Sequence, residues 1–282
     1  SYGYILAGWA SILAGAGGQL SMRILLTNDD GVHARGLHTL VKELGAMAEV
    51  YVVAPDRERS ATGHSITVFE PIKSVKTQIP GAKRAWIVGG TPVDCVKLAI
   101  ARLLDEKMDL VISGINHGPN LGTDVLYSGT VSAAAEGVLM GSPSMAVSLN
   151  SFADDMDFEF AARFTGRVAQ YINRVGMNAK TLLNINIPDI PSPDIKGIRF
   201  CRLGARNYDN LFEERQDPRG NTYYWLGGGV VEEEQESDSD VVAIKSGYIS
   251  VTPIHLDLTD YRLIKRFGKA YHEVNQLLKP GE

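Results

Sequence analysis

The sequence has no excess of basic residues, few cysteines and no long hydrophobic run. Its 28 lysines and arginines are outnumbered by 33 aspartates and glutamates, which gives a net charge of -5. A general nucleic-acid binder needs a basic surface, so we exclude a nucleic-acid polymer as a partner. Cys95 and Cys201 have no metal-type cysteine or histidine spacing around them, and nothing indicates an oxidising compartment.

The first 21 residues carry no charge and are rich in alanine, glycine and leucine. They lack the basic start of a signal peptide, and glycine interrupts their apolar run before it could span a membrane. Because a strong strand pattern begins at Met22, we interpret residues 1–21 as an upstream leader or expression remnant outside the fold. We therefore expect a cytoplasmic location and no membrane partner.

The stretch MRILLTNDDG, from Met22 to Gly31, is a buried-strand pattern that stops on two aspartates. Its unbroken apolar run is typical of a central strand covered on both faces. Asp29 and Asp30 can serve one centre only if the chain turns there, which Gly31 permits. Two interpretations stay open: a hard-cation site, because carboxylates this close repel each other, or a turn that caps the next helix.

Two further loops follow predicted strands and should lie at the same edge. Val50–Ala54 predicts a second buried strand, and Ser60 lies in the polar loop after it, where a plain solvated serine is the alternative. Asp109–Ile112 predicts another strand, and Asn116 follows in a loop rich in glycine and asparagine. Its amide can offer an oxygen to a cation or a donor to an anion. Because ligands in open α/β sheets bind at the carboxyl ends of strands, we expect these residues near the aspartate pair.

The stretch from Tyr127 to Gly137, YSGTVSAAAEG, predicts an alanine-rich helix that opens with Ser-Gly-Thr. The free N–H groups and the dipole of a helix start form an anion site, and small side chains leave room for phosphate. Plain helix capping by Ser128 or Thr130 is the alternative.

Periodicity and punctuation predict the other elements. Thr91 and Pro92 should open a helix as its N-cap and first residue. Further helices are predicted at Gly36–Met47 and Phe158–Val175, a strand or hairpin at Ser65–Lys76, and strands at Ala85–Val88, Pro143–Leu149 and Thr181–Ile187.

The proline-rich stretch that ends near residue 195 predicts a boundary between a catalytic α/β core at 22–195 and a C-terminal part at 196–282. In the second part we expect an acidic solvated loop at Glu232–Asp240 and a final helix at Asp260–Leu278 capped by Thr259. Antiparallel strands are expected near Ile198–Leu203, Thr222–Trp225 and Tyr248–Pro253.

Five motifs in order resemble the SurE family of stationary-phase survival proteins: MRILLTNDDG, APDRERSATGHSIT, GGTPVDCV, SGINHGPNLGTDVLYSGTVSAAAEG and DVVAIKSGYISVTPI. The resemblance runs from Met22 to near the C-terminus. It implies a Rossmann-like, mostly parallel sheet with helices on both faces, and a C-terminal hairpin and helix used in homodimer or homotetramer contacts. It also implies a metal-dependent 5′- and 3′-nucleotidase, a hydrolase of nucleoside monophosphates, with short-chain polyphosphate as a further substrate in some members.

The resemblance assigns the site position by position. It implies one divalent ion per subunit, Mg²⁺ or Mn²⁺, which an all-oxygen ligand set suits. The implied metal ligands are Asp29, Asp30, Ser60 and Asn116, and the implied phosphate contacts are Asn116, Ser128, Gly129 and Thr130. The two aspartates are also the candidate catalytic residues, and either could accept a proton from the attacking water. His64 and His117 lie inside motifs, and we interpret them as neighbours of the site, with proton transfer as the alternative.

Three other functions each miss a required residue. A haloacid-dehalogenase-type phosphatase needs a second aspartate two positions after Asp29, where Gly31 stands. A receiver-like Mg²⁺-binding switch without hydrolase activity needs an aspartate closing a later central strand, where Ser113 and Gly114 stand. A dinucleotide-binding oxidoreductase needs a glycine fingerprint after the first strand, and an acidic pair there would repel pyrophosphate.

Overall fold

The computed structural model describes residues 22–153, 155–209, 212–231, 235–271 and 275. The predicted leader at 1–21 and most of the chain after 271 lie outside these residues. The described residues contain no helix with the length and hydrophobicity that a membrane-spanning segment needs.

The strands and helices are numbered in chain order. The strands are β1 (Arg23–Thr27), β2 (Glu49–Pro55), β3 (Ser74–Thr77), β4 (Arg84–Val88), β5 (Leu110–His117), β6 (Ser144–Asn150), β7 (Leu182–Pro188), β8 (Ile198–Phe200), β9 (Asn207–Tyr208), β10 (Phe212–Gln216), β11 (Thr222–Leu226), β12 (Val230–Val231) and β13 (Ile249–Ile254). The helices are α1 (Arg35–Gly45), α2 (Pro92–Leu98), α3 (Gly129–Leu139), α4 (Glu159–Val175), α5 (Asp240–Lys245) and α6 (Tyr261–Lys269).

A nine-stranded, mostly parallel sheet forms the centre, in the order β3-β4-β2-β1-β5-β6-β7-β13-β8. Strand β1 pairs in parallel with β2 on one side and with β5 on the other. The chain therefore places β2 on one side of β1 and later adds β5 on the other side. This is the point at which α/β sheets open a crevice for ligands.

Helices cover both faces of the sheet, as predicted. Ile24 and Leu26 of β1 pack into one core with α1 and α4, whereas Leu25 packs into a second core with α2. Neighbouring side chains of a strand point to opposite faces, so an unbroken apolar run fills both cores. Helix α3 contributes Ala133 to the second core, on the face opposite α1.

Strand β5 is longer than its predicted span. The glycine-containing segment after Ile112 was expected to be a loop, but it continues the strand to His117 with a register shift. Ser113 pairs with Ala146 and Asn116 with Ser148, because β6 supplies partners on both sides of the register shift. Asn116 therefore lies in a strand. By contrast, the predicted strand or hairpin at 65–76 is a strand only from Ser74, where β3 begins.

The C-terminal part differs from its prediction in two elements. Strand β8 pairs in parallel with β13, although antiparallel strands were expected; β13 with β7 and β11 with β10 are antiparallel. Helix α6 is capped by Asp260 instead of Thr259, because the Asp260 carboxylate accepts from two backbone N–H groups. The boundary at 195 stays a prediction, and β8 and β13 extend the same sheet as the core strands.

Asp240 is the third difference, because it is buried instead of belonging to a solvated loop. Its carboxylate accepts hydrogen bonds from the backbone N–H groups of Gly122, Gly204 and Val241, and Ser239 caps α5 beside it. Burial raises the Asp240 pKa above its ordinary value. One acidic residue thus fastens the start of the 3-10 turn at Gly122–Leu126 to the C-terminal part.

Candidate active site

The chain turns directly after β1, where the aspartate pair lies. Gly31 has a φ of +95°, in the left-handed region that favours glycine, and a Cβ atom there would lie 2.9 Å from the carbonyl carbon of Arg57. Helix α1 is capped by Ala34 without a side-chain bond. The interpretation of the aspartates as a helix cap was therefore wrong, and the turn leaves both carboxylates for another purpose.

Asp29 lies against the start of α3. The Thr130 hydroxyl donates a hydrogen bond to Asp29 Oδ1, and a Cβ atom at position 129 would lie 2.8 Å from Asp29 Oδ2. Ser128 is the N-cap, and its hydroxyl accepts from the Val131 N–H at 3.0 Å. The capping interpretation is thus correct for Ser128 and wrong for Thr130, whose hydroxyl orients Asp29.

Asp30 lies beside the end of β5. Its Oδ2 atom accepts a hydrogen bond from the backbone N–H of His117 at 3.3 Å. The preceding residue, Asn116, donates its amide N–H to the Gly118 carbonyl at 2.7 Å. This bond uses the nitrogen of the Asn116 amide. The side-chain oxygen is left to accept a hydrogen bond or to bind a cation.

Ser60 is exposed, and its hydroxyl donates to Glu58 Oε1 at 2.7 Å. The backbone of its loop is held at the aspartates, because the Arg59 N–H donates to the Asp29 carbonyl at 2.7 Å. Farther along the loop, the Gly63 N–H donates to the Tyr127 carbonyl at 3.1 Å, next to Ser128. The loop after β2 thus bridges the end of β1 and the start of α3.

The electrostatics of the site are those of crowded, partly buried acids. Burial raises the Asp29 pKa, and the hydrogen bond from Thr130 opposes that shift. Burial, followed by the charge of Asp29, raises the Asp30 pKa to about 7. Glu58 adds a third negative charge, which raises both pKa values. Among the described residues, no lysine, arginine or histidine forms an ion pair with either aspartate.

The side chain of His64 contacts a carboxylate other than those of Asp29 and Asp30. Its Nε2 atom lies 3.0 Å from Glu136 Oε2, and Lys97 Nζ donates to the other oxygen of that buried carboxylate at 2.8 Å. Glu136 belongs to α3, so the pair anchors the loop after β2 to this helix. His64 therefore stays a neighbour of the site, as the sequence indicated.

A buried asparagine cluster beneath the loop after β5 was missed. Asn186 accepts from the Asn120 N–H at 2.8 Å and donates to the Asn120 carbonyl at 3.0 Å, while Asn184 donates to the same carbonyl. The Asn120 side chain donates to Ser148 at 2.8 Å. One signal was present: Asn184 and Asn186 stand two apart in the apolar stretch LLNINIP, so both point to one face of β7.

Comparison with known proteins identifies the family of this chain. The family model described as survival protein SurE matches residues 24–210. The chain belongs to the SurE family. A Syntrophomonas wolfei protein named 5′-nucleotidase SurE is 67% identical over 91% of this chain and 97% of that protein. A Moorella thermoacetica protein of the same name is 53% identical over 85% of this chain and 92% of its own length.

A solved SurE structure shares the fold. The crystal structure of the SurE protein from Aquifex aeolicus superposes with a TM-score of 0.77 and 40% identity, and the match covers 88% of this chain and 99% of that one. Membership of the SurE family therefore confirms the resemblance found in the five motifs. It favours that interpretation over the dehalogenase-type, receiver-like and dinucleotide-binding alternatives.

Proposed function

We propose that this chain is a divalent-metal-dependent nucleotidase that hydrolyses nucleoside 5′- and 3′-monophosphates to nucleoside and phosphate, with short-chain polyphosphate as a further substrate. The observation that carries the proposal is the contact between Asp29 and the start of α3, because it joins an acidic pair to a helix N-terminus at one edge of the sheet. The relatives named 5′-nucleotidase SurE support the same activity.

The residues present fit a divalent cation. Asp29 and Asp30 have no cationic partner among the residues that the structure describes, and their mutual repulsion is relieved by a bound positive charge. Ser60 donates its proton to Glu58, so its oxygen keeps lone pairs for a cation. Asn116 likewise uses its nitrogen for Gly118 and keeps its oxygen. We propose these four residues as the ligands of one Mg²⁺ or Mn²⁺ ion.

Each part of the site has a task in the proposed reaction. The metal, when bound, supplies a Lewis acid that polarises the phosphoryl group and acidifies a water. The N-terminal turn of α3 provides backbone N–H groups and a positive dipole end for the phosphoryl oxygens. Thr130 holds Asp29 in one orientation, and Gly129 keeps that turn close to the carboxylate.

Phosphate release from nucleoside 5′- and 3′-monophosphates and from tripolyphosphate tests the proposal. We expect release only with Mg²⁺ or Mn²⁺ and none with EDTA. Asp29→Asn and Asp30→Asn should lower turnover by at least about 100-fold while circular dichroism stays native. Asp105→Asn, at an exposed aspartate in the loop before β5, is the matched control and should keep full activity. Normal turnover in both site variants contradicts the assignment.

We also propose association of this chain with copies of itself through the C-terminal part, as a dimer or tetramer in the cytoplasm. The hairpin of β10 and β11 exposes Tyr224, Trp225 and Leu226, and α6 has no buried residue among those described. Surfaces this apolar are typical of protein contacts. Free Cys95 and Cys201 suit a reducing compartment. Light scattering of wild type and Trp225→Glu measures the association.

A further inference from the structure

Two aromatic rings lie at the rim of the site beside Asp30. The ring centroids of His117 and Phe152 are 6.3 Å apart, with an angle of 42° between the ring planes. Both side chains are exposed, and Phe152 keeps 76% of its surface accessible. We call this pair the His117–Phe152 platform.

The position of the platform relative to the carboxylates is set by backbone contacts. His117 donates its own N–H to Asp30 Oδ2 at 3.3 Å, so the ring and the carboxylate belong to adjoining groups. The Gly118 N–H donates to the Leu149 carbonyl at 3.1 Å, and this bond ties the end of β5 to the end of β6, from which Phe152 follows. The platform is therefore part of the sheet edge that carries the site.

Gly118 allows the phenylalanine ring to reach this place. The Phe152 ring edge lies over Gly118, and a Cβ atom at that position would stand 2.5 Å from Phe152 Cε1. The φ of Gly118 is +103°, so the position also has a backbone conformation that favours glycine. With no side chain between them, the ring of Phe152 stays next to the residue that contacts Asp30.

A large exposed aromatic ring next to a polar site offers a packing surface to a ligand with an apolar flat face. Leaving Phe152 in water forgoes the gain of burying an aromatic side chain. Phosphate and ribose have no π-face, whereas every nucleobase has one. We propose that the His117–Phe152 platform stacks with the nucleobase of the substrate. The proposal rests on the nucleotidase function and adds the subsite that recognises the base.

This subsite predicts a specific division of labour. The site at Asp29, Asp30 and the start of α3 contacts the phosphate, and the platform contacts the base, so a substrate without a base uses only the first. Purines offer more stacking area than pyrimidines and should bind more tightly. Removing the ring should therefore raise KM for nucleoside monophosphates and leave kcat largely unchanged, as expected for binding that is equal in ground and transition states.

Phe152→Ala tests the platform against Phe200→Ala, which removes a phenylalanine of 77% exposure from edge strand β8. Kinetics are measured with adenosine 5′-monophosphate, uridine 5′-monophosphate and ribose 5-phosphate. We expect Phe152→Ala to raise KM for the adenine nucleotide on the order of tenfold, with a smaller rise for uridine and none for ribose 5-phosphate. Phe152→Trp keeps an aromatic ring and should have the wild-type KM, and Phe200→Ala should match wild type with all three substrates.

Equal losses on the nucleotides and on ribose 5-phosphate overturn the platform, and so does an unchanged KM for both nucleotides. Calorimetric titration of the full chain with adenosine 5′-monophosphate in EDTA measures binding affinity without turnover. If wild type hydrolyses no phosphoester, the nucleotidase proposal fails while the titration still decides the platform. Weaker binding in Phe152→Ala than in Phe200→Ala supports it, and equal binding rejects it.

Discussion

The hydroxyl of Thr130 donates a hydrogen bond to Asp29 Oδ1 and so joins two residues that are 101 positions apart in the chain. Both groups are buried, and the bond links the end of β1 to the first turn of α3. The carboxylate is therefore held in one orientation by the same helix start that offers its N–H groups to an anion. Preorganisation of this kind removes the need to order the site when substrate binds.

Thr130→Val removes the hydroxyl while keeping the size of the side chain. We expect metal affinity and kcat to fall roughly 10–100-fold, the usual effect of losing a hydrogen bond that orients a metal-binding carboxylate. Calorimetric titration with Mn²⁺ and phosphate-release kinetics measure the two effects. Thr130→Ser, which restores the donor, should recover most of both. A Thr130→Val protein with wild-type metal affinity contradicts an orienting role.

Gly129→Ala and Gly137→Ala place the same methyl group at two positions of α3. At 129 the methyl meets Asp29 Oδ2 at 2.8 Å, so we expect loss of activity with little change in stability. At 137 it meets Ser144 and Val111, whose Cβ lies 2.8 Å away, so we expect destabilisation on the order of 1–3 kcal/mol instead. Urea unfolding and kinetics on both variants separate the effects; the reverse pattern would show that Gly129 has only a packing role.

Asn186→Ala removes both hydrogen bonds to the Asn120 backbone. The Asn120 N–H then loses its partner inside the protein, and each buried group left without one costs roughly 1–3 kcal/mol. We expect a lower free energy of unfolding, measured in urea, and a higher KM because the loop after β5 loosens. Asn173→Ala, on the exposed surface of α4, is the control and should be neutral. Equal stability of the two variants would mean that water replaces the Asn186 contacts.

Asp240 should make stability depend on pH. Its folded pKa is raised by burial, so the folded protein binds a proton more tightly than the unfolded chain does. The free energy of unfolding should therefore fall as the pH rises from the ordinary aspartate pKa of 3.8 through the folded value, by at most about 1.4 kcal/mol per pH unit.

Urea unfolding of wild type and Asp240→Asn at several pH values measures this slope. The asparagine cannot ionise, so the stability advantage of wild type over Asp240→Asn should shrink as the pH rises through this window. Asp238→Asn, at an exposed position of the same segment, should keep the wild-type slope. A parallel pH dependence in wild type and Asp240→Asn would show that Asp240 does not titrate in this range.

Local patterns predicted the elements whose formation depends on their own residues. The apolar run of β1 needs only burial on both faces, and the buried stripe of α1 at Leu37, Leu40, Val41 and Leu44 follows from helical spacing. Thr91 and Pro92 open α2, where Thr91 and Asp94 form a reciprocal capping box. In each case a few neighbouring residues contain the whole physical cause.

Apart from the cap of α6, which Asp260 forms with N–H groups in its own turn, the errors fell where a distant partner decides. The extension of β5 to His117 depends on pairing with β6, and the direction of β8 depends on its neighbour β13. The burial of Asp240 depends on backbone N–H groups at Gly122 and Gly204, which no pattern around residue 240 announces. Glu58 was missed for the same reason, since its charge matters only because the loop folds back onto the aspartates.

The residue types and their local order set the chemistry available to this protein: which oxygens and amides exist, that two carboxylates end a central strand, and that a small-residue helix begins with a serine cap. Tertiary structure alone decided how those groups meet. It turned Thr130 toward Asp29, His117 toward Asp30 and Phe152 toward His117. The reason is that residue types are local properties, whereas these contacts join strand ends and a helix start that are far apart in the chain, and only the order of strands in the sheet brings them together.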